Sequence, residues 1–186
     1  MTKPRFEIHD TPLAGLTVLQ RLPRADSRGY FEQMFGAGES LPYDKQITQI
    51  NHSFTAVRGT VRGLHYQTPP HADLKLVSCL QGEVFDVAVD LRPASPTFFY
   101  WHGEVLSAAN HRTLLIPEGF AHGFQTLTDD CELLYLHTVG YHPEFERGIH
   151  VRDPRVPVAW PLAISLLSER DAAFPFLTED FAGVSL

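Results

Sequence analysis

Apolar and polar residues alternate along short stretches of this chain with a period of two. In residues 83–91, Phe85, Val87, Val89 and Leu91 share one face while Val84, Asp86, Ala88 and Asp90 share the other, the pattern of a β-strand whose second face is polar-edged. Comparable stretches at 16–22, 60–67, 74–80, 112–116 and 131–138 raise the expectation to at least six strands. Turn signals stand between them, among them Gln81-Gly82, Arg92-Pro93, Pro117-Glu118-Gly119 and Asp129-Asp130. No segment of helical period is long enough to lay a helical layer on a sheet, so the pattern predicts an all-β sandwich or barrel. Beyond residue 142 the chain carries Pro143, Pro154, Pro157, Pro161 and Pro175, which cannot donate to a strand ladder. The one helical turn expected there covers 168–173, with Ser168 as its cap. Residues 1–186 therefore read as a single domain, a sandwich with a short irregular or helical tail packed around it.

Composition narrows the class. The chain has 186 residues, 44% of them hydrophobic and 20% charged, enough to bury a core without a staple and unlike a disordered or fibrous chain. No apolar stretch approaches the roughly 18 residues of a membrane-spanning helix. Residues 1–10 carry Lys3, Arg5, Glu7 and Asp10, so no secretory leader is expected and the cytoplasm is the expected compartment. Fifteen basic residues against 22 acidic ones leave a net charge of -7, and no Lys/Arg run exceeds two residues, which argues against a nucleic-acid partner. Cys79 and Cys131 lack any CxxC spacing and read as two buried thiols in a reducing compartment.

Three clusters place chemistry on strands that otherwise read as core. The first is Arg62-Gly63-Leu64-His65-Tyr66-Gln67 with Lys75 after it. The second is Ile116-Pro117-Glu118-Gly119-Phe120-Ala121-His122-Gly123-Phe124, and the third is Tyr135 followed by Tyr141 and Glu146. Imidazoles and cations inside a β-barrel must be paired or used. Pro117 to His122 has the PxGxxH spacing of half a metal-binding cupin motif. The other half would need further histidine and glutamate ligands where this chain has His65-Tyr66-Gln67, and Gln67 is a poor ligand for a transition metal. No metal site and no cofactor are expected, and a metal-dependent oxygenase is disfavoured.

The first two clusters, with Lys75-Leu76-Val77, the run from Gly82 to Arg92 and Ser95-Pro96-Thr97-Phe98, resemble the dTDP-4-dehydrorhamnose 3,5-epimerase family over nearly the whole chain, from Asp26-Ser27-Arg28-Gly29 to Ser168-Glu169-Arg170-Asp171. The resemblance implies a cupin-type jelly roll acting without metal or organic cofactor on a nucleotide-diphosphate sugar, as a homodimer. It implies that the enzyme inverts C3 and/or C5 of a 4-keto-6-deoxyhexose by removing and returning protons next to the ketone. By the same resemblance His65 is the general base, Asp171 its orienting carboxylate, Tyr135 the acid on the far face, and Lys75 the cation that offsets charge on the C4 oxygen. Arg62 and His122 match substrate-binding positions near the diphosphate. Arg28, Gln49, Asn51, Tyr141, Glu146 and Arg170 match further ones, Arg28 reaching in from the partner subunit. The chain departs from the family's usual residues at Gln33, Asp73, Leu136 and Arg170, beside sugar and nucleotide contacts but outside the proton-transfer set. Two alternatives share the scaffold. A 3,4-ketoisomerase would present extra histidines where Tyr66 and Gln67 stand, and a non-catalytic sugar-nucleotide-binding jelly roll would lack the base and acid.

Overall fold

Thirteen strands and one helical turn are formed among the described residues, 4–36 and 45–186, of the computed structural model; Met1 to Lys3, part of the stretch read for a leader, lie outside them. In chain order the strands are β1 (Phe6–Asp10), β2 (Thr17–Arg21), β3 (Arg24–Asp26), β4 (Gly29–Phe31), β5 (Gln49–Thr55), β6 (Val61–Gln67), β7 (Lys75–Gln81), β8 (Glu83–Asp90), β9 (Trp101–Ser107), β10 (Arg112–Ile116), β11 (Phe120–Thr126), β12 (Cys131–His137) and β13 (Glu146–Gly148). A single turn of helix, α1 (Glu169–Ala172), follows. All six expected strands form, with ends shifted by no more than a residue.

The strands assemble into two antiparallel sheets that face each other, the architecture of a cupin-type jelly roll. One has the order β1-β2-β10-β7-β12-β5 and the other β13-β6-β11-β8-β9, while β3 and β4 form a separate hairpin. Between the sheets lies a core of Leu16, Val18, Val77, Val84, Ala88, Leu106, Leu114, Ile116, Phe120, Phe124 and Leu133, where each fully buried aliphatic or aromatic side chain contributes about 1.5–3 kcal/mol. The five-stranded sheet is covered on its outer face too: Leu64, Val87, Val89, Leu91 and Ala121 pack there with Ile149, Val156 and Val184 of the C-terminal segment, and Trp160, Leu177 and Phe181 close over them. The expectation of a tail packed around the sandwich is met in this way, with the three residues of β13 as its one added strand. Double coverage also explains β8, because the face holding Val84, Asp86 and Ala88 looks inward and not toward solvent.

The position that matters most for the interior is where β6 meets β11. His65 pairs with His122 and Arg62 with Phe124, so two residues, Gly63 and Leu64, stand opposite the single Gly123. This bulge brings the two backbones so close that a Cβ on Gly63 would lie 2.6 Å from the Gly123 Cα, and Gly63 has φ +131°. Only glycine combines that conformation with that approach. In a regular strand residues three apart face opposite ways; the extra residue here turns Arg62 and His65 to the same interior side.

Gly63→Ala is therefore expected to lower the unfolding free energy by about 2 kcal/mol or more. Gly140→Ala, whose added Cβ meets nothing closer than 3.7 Å, is expected to change it by less than about 1 kcal/mol. Urea midpoints of the two variants would show the difference, and equal midpoints would contradict the role given to the Gly63–Gly123 contact.

Candidate active site

A cavity of about 540 Å³ opens between the sheets beside the core. Its walls follow from strand alternation: β6 turns Arg62, His65 and Gln67 inward and β11 turns His122 inward, all from the five-stranded sheet. From the six-stranded sheet β7 contributes Lys75, β12 contributes Tyr135 and His137, and β5 contributes Gln49, Asn51 and Ser53. Antiparallel register sets Tyr135 opposite Asn51 and His137 opposite Gln49 on one wall, and His65 opposite His122 on the other. Directly opposed residues share a face, so each wall carries a compact polar cluster.

His65 is held from behind. Its Nε2 lies 2.8 Å from Asp171 Oδ1, while Asp171 Oδ2 accepts the Gly63 amide at 3.1 Å. The bulge thus supplies Asp171 with one of its two donors. Asp171 is delivered by α1, whose cap Ser168 accepts the Asp171 amide at 3.0 Å. Burial pushes the Asp171 carboxyl up, but the hydrogen bond and charge of His65, the Gly63 amide and Arg170 outweigh it and hold the group below the ordinary carboxylate range. A carboxylate only accepts, so His65 donates from Nε2 and Nδ1 is left as its basic nitrogen.

His122 forms a second, deeper pair. Its Nε2 donates to both Asp86 oxygens at 2.9 and 3.0 Å, with the imidazole 7% and the carboxylate 0% exposed. Burial lowers the His122 pKa against the opposing pull of Asp86, and the charges of Lys75 and His65 lower it further. The ring lines the cavity together with the His65 and Lys75 side chains. His122, expected as a substrate-binding residue, thus sits in the cavity lining at a buried position. Asp86, which fixes this ring, was not a sequence-based candidate; its one signal was a carboxylate in the middle of an apolar strand.

The Lys75 ammonium makes no hydrogen bond or ion pair within 4 Å among the described residues. Burial lowers its pKa, with Asp73, Asp86 and Glu146 pulling the other way. A desolvated ammonium lacking a close counter-ion is a ready site for developing negative charge. Tyr135 reaches Ser53 Oγ at 3.2 Å, and burial pushes the phenol well above its ordinary range, so it stays protonated and able to donate. His65 and Tyr135 face the cavity from opposite sheets, the arrangement needed to take a proton from one side of a carbon and return one to the other.

The remaining candidates form the rim or lie apart from it. Arg62 bonds Thr55 Oγ1 at 3.0 Å and the Phe54 carbonyl at 3.1 Å, tying β6 to β5 while still lining the cavity. Glu146 accepts from the Tyr141 hydroxyl at 2.7 Å and pairs with Arg170; Arg170 itself stands behind Glu146 and outside the cavity lining. Gln67 is spent on structure, bonding the His71 and Gly140 carbonyls and the His142 amide. Arg28 is not brought into the site: it sits on the β3–β4 hairpin, 87% exposed, paired with Asp26 of the same turn at 2.7 Å. Among the described residues no group of three or more His, Cys, Asp or Glu is gathered to hold a metal ion.

Fold and site together define a jelly-roll protein whose cavity is lined by a carboxylate-backed imidazole, a buried phenol on the facing sheet and an ammonium without a close counter-ion among the described residues. The chain belongs to the dTDP-4-dehydrorhamnose 3,5-epimerase family, whose description matches residues 10–179. It is 47% identical to the dTDP-4-dehydrorhamnose 3,5-epimerase of Shigella flexneri over 149 residues, 78% of this chain and 82% of the relative. Among solved structures it is similar to the dTDP-6-deoxy-D-glucose-3,5-epimerase of Legionella pneumophila in complex with dTDP-4-keto-L-rhamnose, at 40% identity and a TM-score of 0.90, covering 97% of this chain and 98% of that one. A 3'-monoepimerase from Streptomyces bikiniensis in complex with dTDP-quinovose is similar at 32% identity and a TM-score of 0.84, over 90% and 86% of the two chains.

The lowered pKa of Lys75 carries a stability consequence. Its charge opposes folding in full below the folded-state pKa, and the penalty fades as pH rises toward the ordinary 10.5. Lys75→Met is expected to stabilise the protein at neutral pH by about 0.5–2 kcal/mol. Denaturant unfolding at pH 7 is the measurement, and a destabilised variant would mean that the ammonium has a favourable partner after all.

Proposed function

We propose that this chain is a cofactor-independent epimerase of a nucleotide-linked 4-keto-6-deoxyhexose, of the type that converts dTDP-4-dehydro-6-deoxyglucose to dTDP-4-dehydro-L-rhamnose. The observation that carries this reading is the pair of opposed proton carriers, His65 backed by Asp171 and Tyr135 on the facing sheet, with Lys75 beside Tyr135's strand on that same facing sheet. Hydrogens on C3 and C5 are acidic because each neighbours the C4 carbonyl. His65 takes one through Nδ1, the C–H electron pair moves into the carbonyl, and the Lys75 ammonium offsets the charge arriving on oxygen, where one preorganised donor is worth about 3–4 kcal/mol. Tyr135 then gives its hydroxyl proton to the opposite face of the same carbon, which inverts it. His122, whose Nε2 donates to Asp86, faces the sugar with Nδ1 as a hydrogen-bond acceptor. Arg62, with Gln49, Asn51, Tyr141 and Glu146 around the mouth, receives the nucleotide diphosphate end, where a guanidinium can grip two oxygens.

Arg28 enters this scheme through a second copy of the chain. The hairpin that carries it also exposes Tyr30 and Phe31, and β5 is an edge strand showing Ile50 and Phe54 on its outer side; such edges are commonly covered by association. A homodimer in which Arg28 completes the neighbouring site adds a cation to a protein of charge -7 that must hold a diphosphate. The buried free thiols Cys79 and Cys131 support the proposed cytoplasmic setting.

Incubation with dTDP-4-keto-6-deoxyglucose in heavy water is expected to place one solvent deuteron at C3 and one at C5; incorporation at one carbon would mark a single-centre enzyme, and none would refute the reading. His65→Asn should abolish exchange while substrate affinity stays within about tenfold, because the loss falls on the transition state. Tyr135→Phe should still let deuterium wash in at the His65 face with little inversion. Undiminished inversion in that variant would remove Tyr135 from the acid role.

For the shared site, Arg28→Ala is expected to raise KM by about tenfold or more, the scale of one charged hydrogen bond. At a substrate level where each variant alone is nearly silent, mixing Arg28→Ala with His65→Asn subunits should restore activity, since a mixed dimer keeps one intact site. No recovery despite proven subunit exchange would refute the shared site.

A further inference from the structure

The Asp73 departure has a partner in space. Asp73 Oδ2 lies 2.6 Å from His137 Nδ1, and its Oδ1 is filled by the Thr138 and Val139 amides at 3.0 and 3.1 Å and by the Thr138 hydroxyl at 3.4 Å. His137 lines the cavity and stacks on Tyr135 with ring centroids 6.1 Å apart. It makes a further histidine–carboxylate pair at the cavity, beyond those of His65, His122 and His52, and neither the base, the acid nor His122 uses it.

Its hydrogen bonds run in one direction. At one end the Tyr141 backbone amide, which can only donate, bonds Gln49 Oε1 at 3.0 Å. That orientation makes Gln49 Nε2 the donor to Asn51 Oδ1, also at 3.0 Å, and leaves Asn51 Nδ2 as the donor toward His137 Nε2 at 3.4 Å, the longest link. His137 must accept there, so its proton sits on Nδ1 and is donated to Asp73, which can only accept. An obligate donor and an obligate acceptor thus fix both amide orientations and the histidine tautomer, assignments that in isolation would be ambiguous. The spare N–H of each amide is then a defined donor at the cavity wall.

We infer that Asp73 and His137 are a positioning pair that presets Gln49 and Asn51 as N–H donors to substrate oxygens through this one-way relay. The inference rests on the proposed substrate-binding role of Gln49 and Asn51. It deepens that role by assigning the pair a part in affinity and not in proton transfer. Oxygens of a diphosphate or of sugar hydroxyls are the groups such donors recognise.

Three substitutions separate positioning from packing. His137→Gln keeps the polarity, since its amide oxygen can accept from Asn51 and its nitrogen can donate to Asp73. His137→Phe keeps the aromatic stack on Tyr135 but breaks the relay. Asp73→Asn keeps an oxygen for the Thr138 and Val139 donors but turns an N–H toward His137 Nδ1. The tautomer is then forced to reverse, and the conflict runs through Asn51 and Gln49 to the Tyr141 amide. With dTDP-4-keto-6-deoxyglucose, KM is expected to stay within about twofold for His137→Gln and to rise about five- to tenfold for His137→Phe and Asp73→Asn, with kcat within about threefold throughout. The opposite ranking, with His137→Phe mild and His137→Gln severe, would make the residue a packing element and overturn the inference. So would equal KM values in all three variants. In the ligand-free protein, nitrogen-15 spectra should show the Gln49 and Asn51 side-chain amide signals moved in Asp73→Asn and retained in His137→Gln. That readout survives if the protein proves inactive on this sugar, so failure of the relay and failure of the epimerase reading are distinguishable; unmoved amide signals in Asp73→Asn would overturn the relay by themselves.

Discussion

Everything in the cavity depends on two glycine backbones touching. Because Gly63 and Gly123 carry no Cβ, β6 and β11 approach within a distance that any side chain would block, and the mismatch of two residues against one is absorbed between them. Two consequences follow from that single irregularity. Arg62 and His65, three positions apart, come to share the interior face, and the Gly63 amide becomes available to Asp171. His65 and its carboxylate are therefore assembled by the same backbone feature that aligns His65 with His122. Without the bulge either Arg62 or His65 would point into the outer layer beside Leu64 and Tyr66.

The electrostatics of the site follow from its placement against the core. Charged groups near an apolar interior lose solvation, and each must recover it locally or shift toward neutrality. His65 and His122 recover it from Asp171 and Asp86, each carboxylate held by more than one contact. Lys75 is the exception, facing carboxylates only at longer range, and its ammonium is held at a cost that a purely structural design would avoid. The same desolvation that lowers Lys75 raises Tyr135. One wall thus offers a cation awaiting negative charge and a phenol that keeps its proton, while the other offers a basic imidazole nitrogen.

Strand periodicity made β2, β6, β7, β8, β10 and β12 legible, because their alternation is hydrophobic on at least one face. It failed at β5 for a physical reason: Gln49, Asn51 and Ser53 face inward and Ile50 and Phe54 outward, the reverse of a core-facing strand, since this strand lines a cavity and forms a sheet edge. It also left Asp86 as no more than the polar edge of its strand, although that face looks inward and the carboxylate holds His122. The roles of His65, Tyr135, Asp171 and Lys75 came from motif resemblance. Alternation alone would have put Arg62 and His65 on opposite faces, and nothing in local pattern links Asp171 to a histidine 106 positions away. His137 and Asp73 were invisible as a pair for the same reason: each is an ordinary polar residue until β7 and β12 are laid side by side.

The two walls are built differently, and the difference suits their tasks. The sheet carrying His65 and His122 is packed on both faces, between the central core and the C-terminal segment, and such doubly buried strands have little freedom to move. The proposed role of His65, to meet a carbon-bound proton within a few tenths of an ångström, calls for such a rigid wall. The facing wall ends in β5, which among the described residues is an edge strand paired only to β12, where packing supplies less rigidity. Side-chain amides on such an edge could turn either way. Hydrogen bonds then do what packing cannot: the relay from Tyr141 through Gln49, Asn51 and His137 to Asp73 crosses from that edge toward the interior strand β7. Precision on this wall is carried by the direction of hydrogen bonds, and on the other by the contact of two glycines.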